Sequence, residues 1–275
     1  MSLVARMSGT ASSTDGPRDG AQSVRRAVAV LRIVAGGQEG GVRLIDVSLA
    51  TGLNRPTAHR LLRALVEEGA VEQDAATRRY RIGREVSLMG LARPAGFPLR
   101  AIAAPHLRHL GETLGETAFL TIRQGDDSVC LDRAIGSYPV KVLSIDVGAR
   151  RLLGVGVSGV VLLAALDTAE AADILARNAA RLRALRLDAA GVLERCAQAR
   201  GLGHAYAPVG VVRGTRAAAV PVRTPVGRTV AAIAVTAISS RLTEGRLPQV
   251  VQAMQAQADA IGREAQARGL GGGPQ

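Results

Sequence analysis

Residues 51–83 read TGLNRPTAHRLLRALVEEGAVEQDAATRRYRIG, and the way this stretch folds decides how the rest of the chain is read. A Gly-Leu-Asn turn opens it. A short amphipathic run follows, and then two strand-like segments on either side of DAAT. At the helical period, Ala58, Leu61, Leu62 and Leu65 fall on one face, and Pro56, His59, Arg60, Arg63 and Glu67 on the other. A helix over 55–68 would therefore bury its leucines and turn its arginines outward. Asn54 is placed to cap it. Pro56 is tolerated in the first turn, where backbone N–H groups lack partners anyway. Segments 70–74 and 78–82 predict a hairpin carrying Arg78 and Arg79.

Upstream, residues 23–35, SVRRAVAVLRIVA, have apolar residues at 24, 27, 28, 31 and 34, which is helix spacing, with Ser23 as a candidate N-cap. GGQEGG at 36–41 breaks that helix, RLIDVSLA at 43–50 makes a second, and Gly52 ends it. Helix, helix, turn, helix, hairpin is the order of a winged helix-turn-helix. A surface helix with three arginines is, taken alone, a solvated face. The turn spacing, the preceding short helix and the Arg-rich hairpin instead agree on one DNA-docking arrangement. Arg55, Pro56, Thr57, His59, Arg60 and Arg63 would then enter the groove. Arginine reads guanine O6 and N7 with two hydrogen bonds, at about 1–3 kcal/mol of discrimination. Arg78 and Arg79 would touch phosphate or the minor groove, contacts that set affinity and register rather than sequence choice. Ser23, Arg25 and Arg26 at the start of the first helix complete the DNA-facing candidates.

Composition agrees. The chain has 275 residues, and a prior of about 150 residues per domain suggests two domains. It is 47% hydrophobic with two Phe, three Tyr and no Trp, so its cores are Leu, Val, Ile and Ala and bases have few aromatic platforms to stack on. The net charge of +12 favours polyanionic partners. Lys141 is the only lysine, a bias that a GC-rich genome would produce and that carries no functional signal. Cys130 and Cys196 are far apart, which argues against a disulfide framework or a zinc site and fits a reducing compartment. The first 20 residues, MSLVARMSGTASSTDGPRDG, lack the apolar run of a signal peptide, and no stretch is apolar for long enough to span a membrane. The expectation is a cytoplasmic protein with a disordered head over 1–22.

Beyond a winged domain at 23–83, GREVSLMGLA begins a linker helix over 84–97, and RPAGFP at 93–98 marks the domain boundary. A helix at LRAIAAPHLRHLGETLGE follows, then strands at 117–123, 128–134 and 140–145. SGVVLLAAL and 169–200 read as helical. Residues 216–223 and 228–238 read as a hairpin turning at TPVG, 246–267 as a closing helix, and 269–275 as a flexible tail. The mixture predicts an α+β domain over 98–268. His106 and His109 lie at i, i+3 without a third ligand, so they read as solvated or interface histidines. Cys130 reads as a small buried hydrophobe. There is no Gly-rich phosphate loop, nucleophile elbow or HExxH, so no cofactor, metal or catalytic residue is expected.

SVRRAVAVLRIVA and LIDVSLATGLNRPTAHRLLRALVEEGAVEQDAATRRYRIG resemble the DNA-binding half of the IclR family of bacterial transcription regulators. The likeness includes the Thr-x-His-Arg-Leu-Leu core and the closing Tyr-Arg-x-Gly. It covers 23 to about 92 strongly. It continues more loosely to about 265 through VCLDRAIG, VGARRLLGVGVSGVVLLAAL and VGRTVAAIAVTAISSRL. The resemblance implies a winged helix-turn-helix, a linker helix and a GAF-like effector-binding domain. It also implies homodimers or tetramers on palindromic double-stranded DNA operators, and a small organic-acid effector in control of catabolic genes. Carried over by position, the effector residues are Gly156, Val157, Ser158 and Gly159 at a helix N-terminus, with Ser158 as its cap, together with Ala217, Ala234 and Thr236 on two strands. The chain departs from the family pattern at Ala217 and Ala234, where several members are polar, and at Ala207 and Pro208, where some have an acidic pair. Leu-Gly-Val stands where an LPLH stretch is usual. Few polar groups then remain to fix a dicarboxylate, which points to a larger or more apolar ligand such as an aromatic acid. The plainer alternative is that these alanines are core filler and the pocket lies elsewhere. At the level of function, the alternative to a ligand-responsive regulator is an enzyme whose winged helix serves only for dimerisation or docking.

Overall fold

The computed structural model describes residues 18–92, 96–210 and 212–270. The chain divides into two compact units between Ala92 and Arg93.

The first unit runs α1 (Arg18–Gly36), α2 (Leu44–Thr51), α3 (Arg55–Glu67), β1 (Val71–Gln73), β2 (Tyr80–Ile82) and α4 (Arg84–Leu91), with β1 and β2 antiparallel. Val30 and Val34 of α1, Val47 of α2, Ala58 and Leu62 of α3, and Val71 and Tyr80 of the hairpin form its core. Asn54 Oδ1 accepts from the Thr57 amide at 2.9 Å and so starts α3. Asp74 Oδ1 closes the hairpin loop by accepting from the Thr77 amide at 2.7 Å and the Thr77 hydroxyl at 2.8 Å. Glycine is required at 83, because a β-carbon there would lie 2.0 Å from the Gly69 carbonyl oxygen at the base of the wing.

The start of α1 corrects the sequence reading. The helix begins at Arg18, so Ser23 lies inside it and does not cap it, and 18–22 are helical. Extending a helix costs far less than nucleating one. Once Val30 and Val34 are fixed in the core, the polar residues upstream propagate the helix without any apolar period of their own. The rest of the expected disordered head, 1–17, lies outside the described residues.

The second unit runs α5 (Pro98–Leu114), β3 (Thr117–Gln124), β4 (Asp127–Ala134), β5 (Arg150–Leu152), α6 (Gly156–Ala164), α7 (Thr168–Arg177), α8 (Ala179–Ala184), α9 (Ala189–Leu202), β6 (Ala205–Ala207), β7 (Thr215–Arg223), β8 (Thr229–Ile238) and α10 (Leu247–Ala267). Its six strands pair antiparallel in the order β5-β4-β3-β8-β7-β6. One face of the sheet packs on α5 and α10 through Leu107, Leu110, Val220, Ile233, Met254 and Ile261. The other packs on α6 and α9 through Val160, Leu163, Val192 and Cys196. Side chains alternate across a strand, and here the bulky ones fall on one face, interspersed with Ala218, Ala231 and Ala237. Val220, Val222, Ile233 and Val235 face α5 and α10, whereas Ala217, Ala219, Ala232 and Ala234 face α6.

Three expectations for this unit change. Residues 140–145 form no strand. Their carbonyls are taken by side chains instead: the Thr236 hydroxyl donates to Val142 O at 3.1 Å, and Arg151 Nη2 donates to Ser144 O. The edge strand is the shorter β5. The helical stretch 169–200 is three helices, split at Asn178 and again at Arg186, whose φ is +58°, ahead of the Asp188 cap of α9. The expected tail starts later, since Leu270 packs against the core; 271–275 lie outside the described residues. Glu116, fully buried, accepts from Arg241 Nε at 2.5 Å and Arg246 Nη1 at 2.8 Å and so ties the end of α5 to the start of α10. A carboxylate at that depth is stable only when paired.

Leu62 is fully buried where α3 meets the rest of the first unit. Leu62→Ala should lower the stability of that unit by about 2–5 kcal/mol. Urea titration followed by circular dichroism checks this, and an unchanged midpoint would show that α3 is not packed as described.

Candidate DNA-binding surface and ligand cavity

On α3, Arg55, Pro56, His59, Arg60 and Arg63 are exposed on the face away from Ala58 and Leu62, and Thr57 is half-buried beside the cap. Arg63 Nε donates to Glu67 at 2.9 Å, both side chains being mostly exposed. Such a surface pair is worth about 0–1 kcal/mol and yields readily to a phosphate. On α1, Ser23 and Arg25 are exposed and Arg26 is half-buried. The wing separates its two arginines. Arg78 is exposed with a φ of +56°. Arg79 is half-buried and turned onto the loop after α1, its Nη1 donating to Gly41 O at 2.8 Å. Arg81, exposed one residue beyond the core Tyr80, is a cation of the wing that the sequence reading did not select.

The second unit contains a cavity of about 800 Å³ between the sheet and α6 and α9. Its origin lies in the distribution of side-chain size on β7 and β8, because alanines on the α6 face leave unfilled the volume that valine or isoleucine would occupy. Gly156, Val157, Ser158 and Gly159 line it from α6, and Ala217, Ala234 and Thr236 from the sheet, so the fold brings all seven sequence-derived residues together. Ser158 does not cap α6, however. The N-cap position is Val155 and makes no side-chain cap bond. The first turn of α6 thus meets the cavity with amides that no side chain covers. The glycine at 154 is obligatory: its φ is +87°, and a β-carbon there would lie 2.6 Å from Val192 Cγ1. The chain can therefore lie flush on α9.

The walls also include Thr121, Ser128, Ser144, Arg151, Gln198 and His204, none of which the sequence reading selected. Two of them left a signal. Thr121 interrupts the apolar run 118–122 of β3 and Ser128 precedes the apolar run 129–131 of β4, and the β3–β4 register puts them on a common face. Arg151 gave none, since its place depends on β5 pairing with β4 (Ser128 opposite Arg151). Burial pulls the Arg151 guanidinium below its ordinary range, and no carboxylate among the described residues pairs with it. The cavity lining includes Arg151 and Arg195 but neither aspartate nor glutamate.

The remaining candidates are structural. His106 bridges α5 to α10 through Gln257 Oε1 at 2.7 Å and Glu264 Oε1 at 3.2 Å. Cys130 is buried and its thiol is pushed up to about 12 by desolvation; burial likewise raises Cys196. Neither is a thiolate nucleophile at neutral pH. Among the described residues no cluster of three or more His, Cys, Asp or Glu could hold a metal ion, and no helix is long and apolar enough to cross a membrane.

A winged helix-turn-helix joined in one chain to a separate unit with a ligand-sized cavity defines a DNA-binding transcriptional regulator. The IclR helix-turn-helix domain matches residues 23–75, and the C-terminal domain of the bacterial transcriptional regulator IclR matches residues 95–263. The chain belongs to the IclR family. The glycerol operon regulatory protein of Streptomyces griseus is 30% identical over 246 residues, which cover 88% of this chain and 96% of that protein. A solved structure assigned to the IclR regulators, from Silicibacter sp. TM1040, aligns with a TM-score of 0.68 at 27% identity, covering 88% of this chain and 95% of that one. An IclR homologue from Microbacterium hydrocarbonoxydans, complexed with 4-hydroxybenzoate, shares the fold with a TM-score of 0.66 at 22% identity, covering 89% and 99%.

Proposed function

We propose that this regulator acts in the cytoplasm, that it binds a palindromic operator as a homodimer or a dimer of dimers, and that a small organic acid in the cavity of the second unit sets its affinity for DNA. The observation that carries the reading is the cavity: about 800 Å³, built by alanines on one face of two strands, with cationic but no anionic side chains in its lining. Small-molecule sites are of this kind, mostly apolar with a few placed polar groups. The 4-hydroxybenzoate of the Microbacterium homologue fits the same chemistry, an aromatic acid. The glycerol operon of the Streptomyces relative favours a catabolic operon as the target. Apolar side chains left exposed on α1 and α4, among them Val24, Leu88, Met89 and Leu91, are what a two-fold partner would cover. A two-fold dimer reads half-sites about one helical turn, or a multiple of it, apart.

On the DNA side, Arg60 is the base-reading candidate and Arg78 the phosphate-contacting one, while Arg79 holds the wing to the Gly41 loop. Arg60→Ala should weaken operator binding and relax preference at one base pair. Arg78→Ala should weaken binding to all sequences alike and shallow the salt slope by about one unit. Fluorescence anisotropy over a salt series reads both. Wild-type affinity and slope in both variants would remove α3 and the wing from the interface.

On the ligand side, Ser158→Leu would put a bulky side chain at the first turn of α6. The variant should lose the ligand response of DNA binding. The assay is a gel shift, with and without the acid, on an operator first mapped by footprinting genomic DNA with the wild-type protein. A variant that responds as fully as the wild type places the effector elsewhere, and one that no longer binds DNA shows Ser158 to be structural.

A further inference from the structure

Polar groups line the cavity on several sides, Arg195 and Gln198 from α9 and Thr215 and Thr236 from the sheet among them; three others share one wall. In the order β5-β4-β3, Arg151 pairs with Ser128, Ser128 with Arg123, and Thr121 lies two residues from Arg123, so Arg151, Ser128 and Thr121 share one face of the sheet. The Arg151 guanidinium is held by Nη2 donating to Ser144 O, and its Nη1 lies 3.7 Å from where a β-carbon on Gly156 would stand. It therefore sits at the first turn of α6, among amides left uncovered by any cap. Thr121 is only 4% exposed, lines the cavity, and makes no side-chain hydrogen bond with any described residue. Its hydroxyl is therefore left available to whatever occupies the cavity.

We propose that Arg151 is the anion-recognising residue of this cavity: with the first-turn amides of α6 it takes the carboxylate of a monoanionic ligand, Thr121 takes a second hydrogen bond, and an apolar body fills the remaining space along Ala217, Ala234, Val157 and Val160. This assignment rests on the cavity being the effector site and adds to it the residue that selects charge. Three observations converge on an anion. Arg151 is a half-buried cation with no carboxylate partner among the described residues, the α6 N-terminus presents amides and a positive dipole end, and no acidic side chain lines the walls. The volume sets the body. A two- or three-carbon acid would leave nearly all of about 800 Å³ empty, whereas a fused-ring or long-chain monocarboxylate occupies more of it and meets the methyl-lined wall.

The test pairs acids with their neutral amides on the full-length protein: acetate with acetamide, benzoate with benzamide, and 2-naphthoate with 2-naphthamide, by isothermal titration calorimetry. The wild type should prefer 2-naphthoate to its amide by tenfold or more, and 2-naphthoate to acetate by more than that. Arg151→Gln should bring the acid-to-amide ratio close to one, Arg151→Lys should restore part of it, and Thr121→Val, of nearly equal shape, should weaken acid and amide together. A merely structural role for Arg151 would lower affinity for both partners of each pair and leave their ratio unchanged, which overturns the assignment. A wild-type protein that takes the amides as well as the acids overturns it too. If no acid of the set binds at all, the cavity itself fails as an acid site and the functional reading falls with it.

Discussion

The second unit depends on a constraint in two strands: along β7 and β8, the valines and Ile233 point to one face together with Ala218, Ala231 and Ala237, and the other face carries Ala217, Ala219, Ala232 and Ala234. The first of these faces closes a continuous core with α5 and α10, which holds the sheet against them. Packing at interior density leaves few voids larger than a water molecule, so a cavity of about 800 Å³ requires walls that cannot collapse inward. Those walls are rigid for identifiable reasons. The α5–α10 core fixes the sheet, the Glu116 pairings with Arg241 and Arg246 fix the ends of those helices, and Gly154 and Gly159 allow the chain before α6 to lie against its neighbours. The space over Ala217 and Ala234 is thus kept open by contacts on the far side of the sheet.

The first unit is organised by a different balance. The leucine stripe of α3 is spent on the core with Val30, Val34 and Val47, so its remaining face has nothing to bury and carries Arg55, His59, Arg60 and Arg63 to solvent. The two arginines of the wing divide their labour. Arg79 is satisfied by a backbone carbonyl 38 positions upstream and keeps the hairpin in place, whereas Arg78 is exposed to solvent.

Much of this was legible in the sequence, and the pattern of what was not is physical. The α3 helix could be read because its cap, its proline and its apolar spacing are all local. The hairpin of β7 and β8 could be read for the same reason, and all seven residues carried over to the ligand side by family resemblance line one cavity. The α1 start was misplaced because propagation into Arg18–Gln22 leaves no apolar period. Residues 140–145 alternate like a strand, yet Thr236 and Arg151 take carbonyls that a ladder would have used. Ser158 looked like a cap because the sequence does not reveal that the helix begins two residues before it, at Gly156, with Val155 in the cap position. Arg151 was missed because only the pairing of β5 with β4, and of β4 with β3, brings it to the same wall as Thr121, thirty residues earlier. β5 and β6, at three residues each, are shorter than any periodicity can register.

The central claim is that ligand in the second unit and operator at the first are thermodynamically coupled. Coupling in such systems is typically about 1–3 kcal/mol, or roughly 5- to 150-fold, and for binding it must be reciprocal. The most direct measurement is a closed cycle on the full-length protein: operator affinity with and without saturating 2-naphthoate, and 2-naphthoate affinity with and without saturating operator duplex. The expected result is one factor, the same in both directions and outside error of unity. Ligand affinity that is identical on free and DNA-bound protein would contradict the claim, because a cavity indifferent to operator binding has no means of setting it.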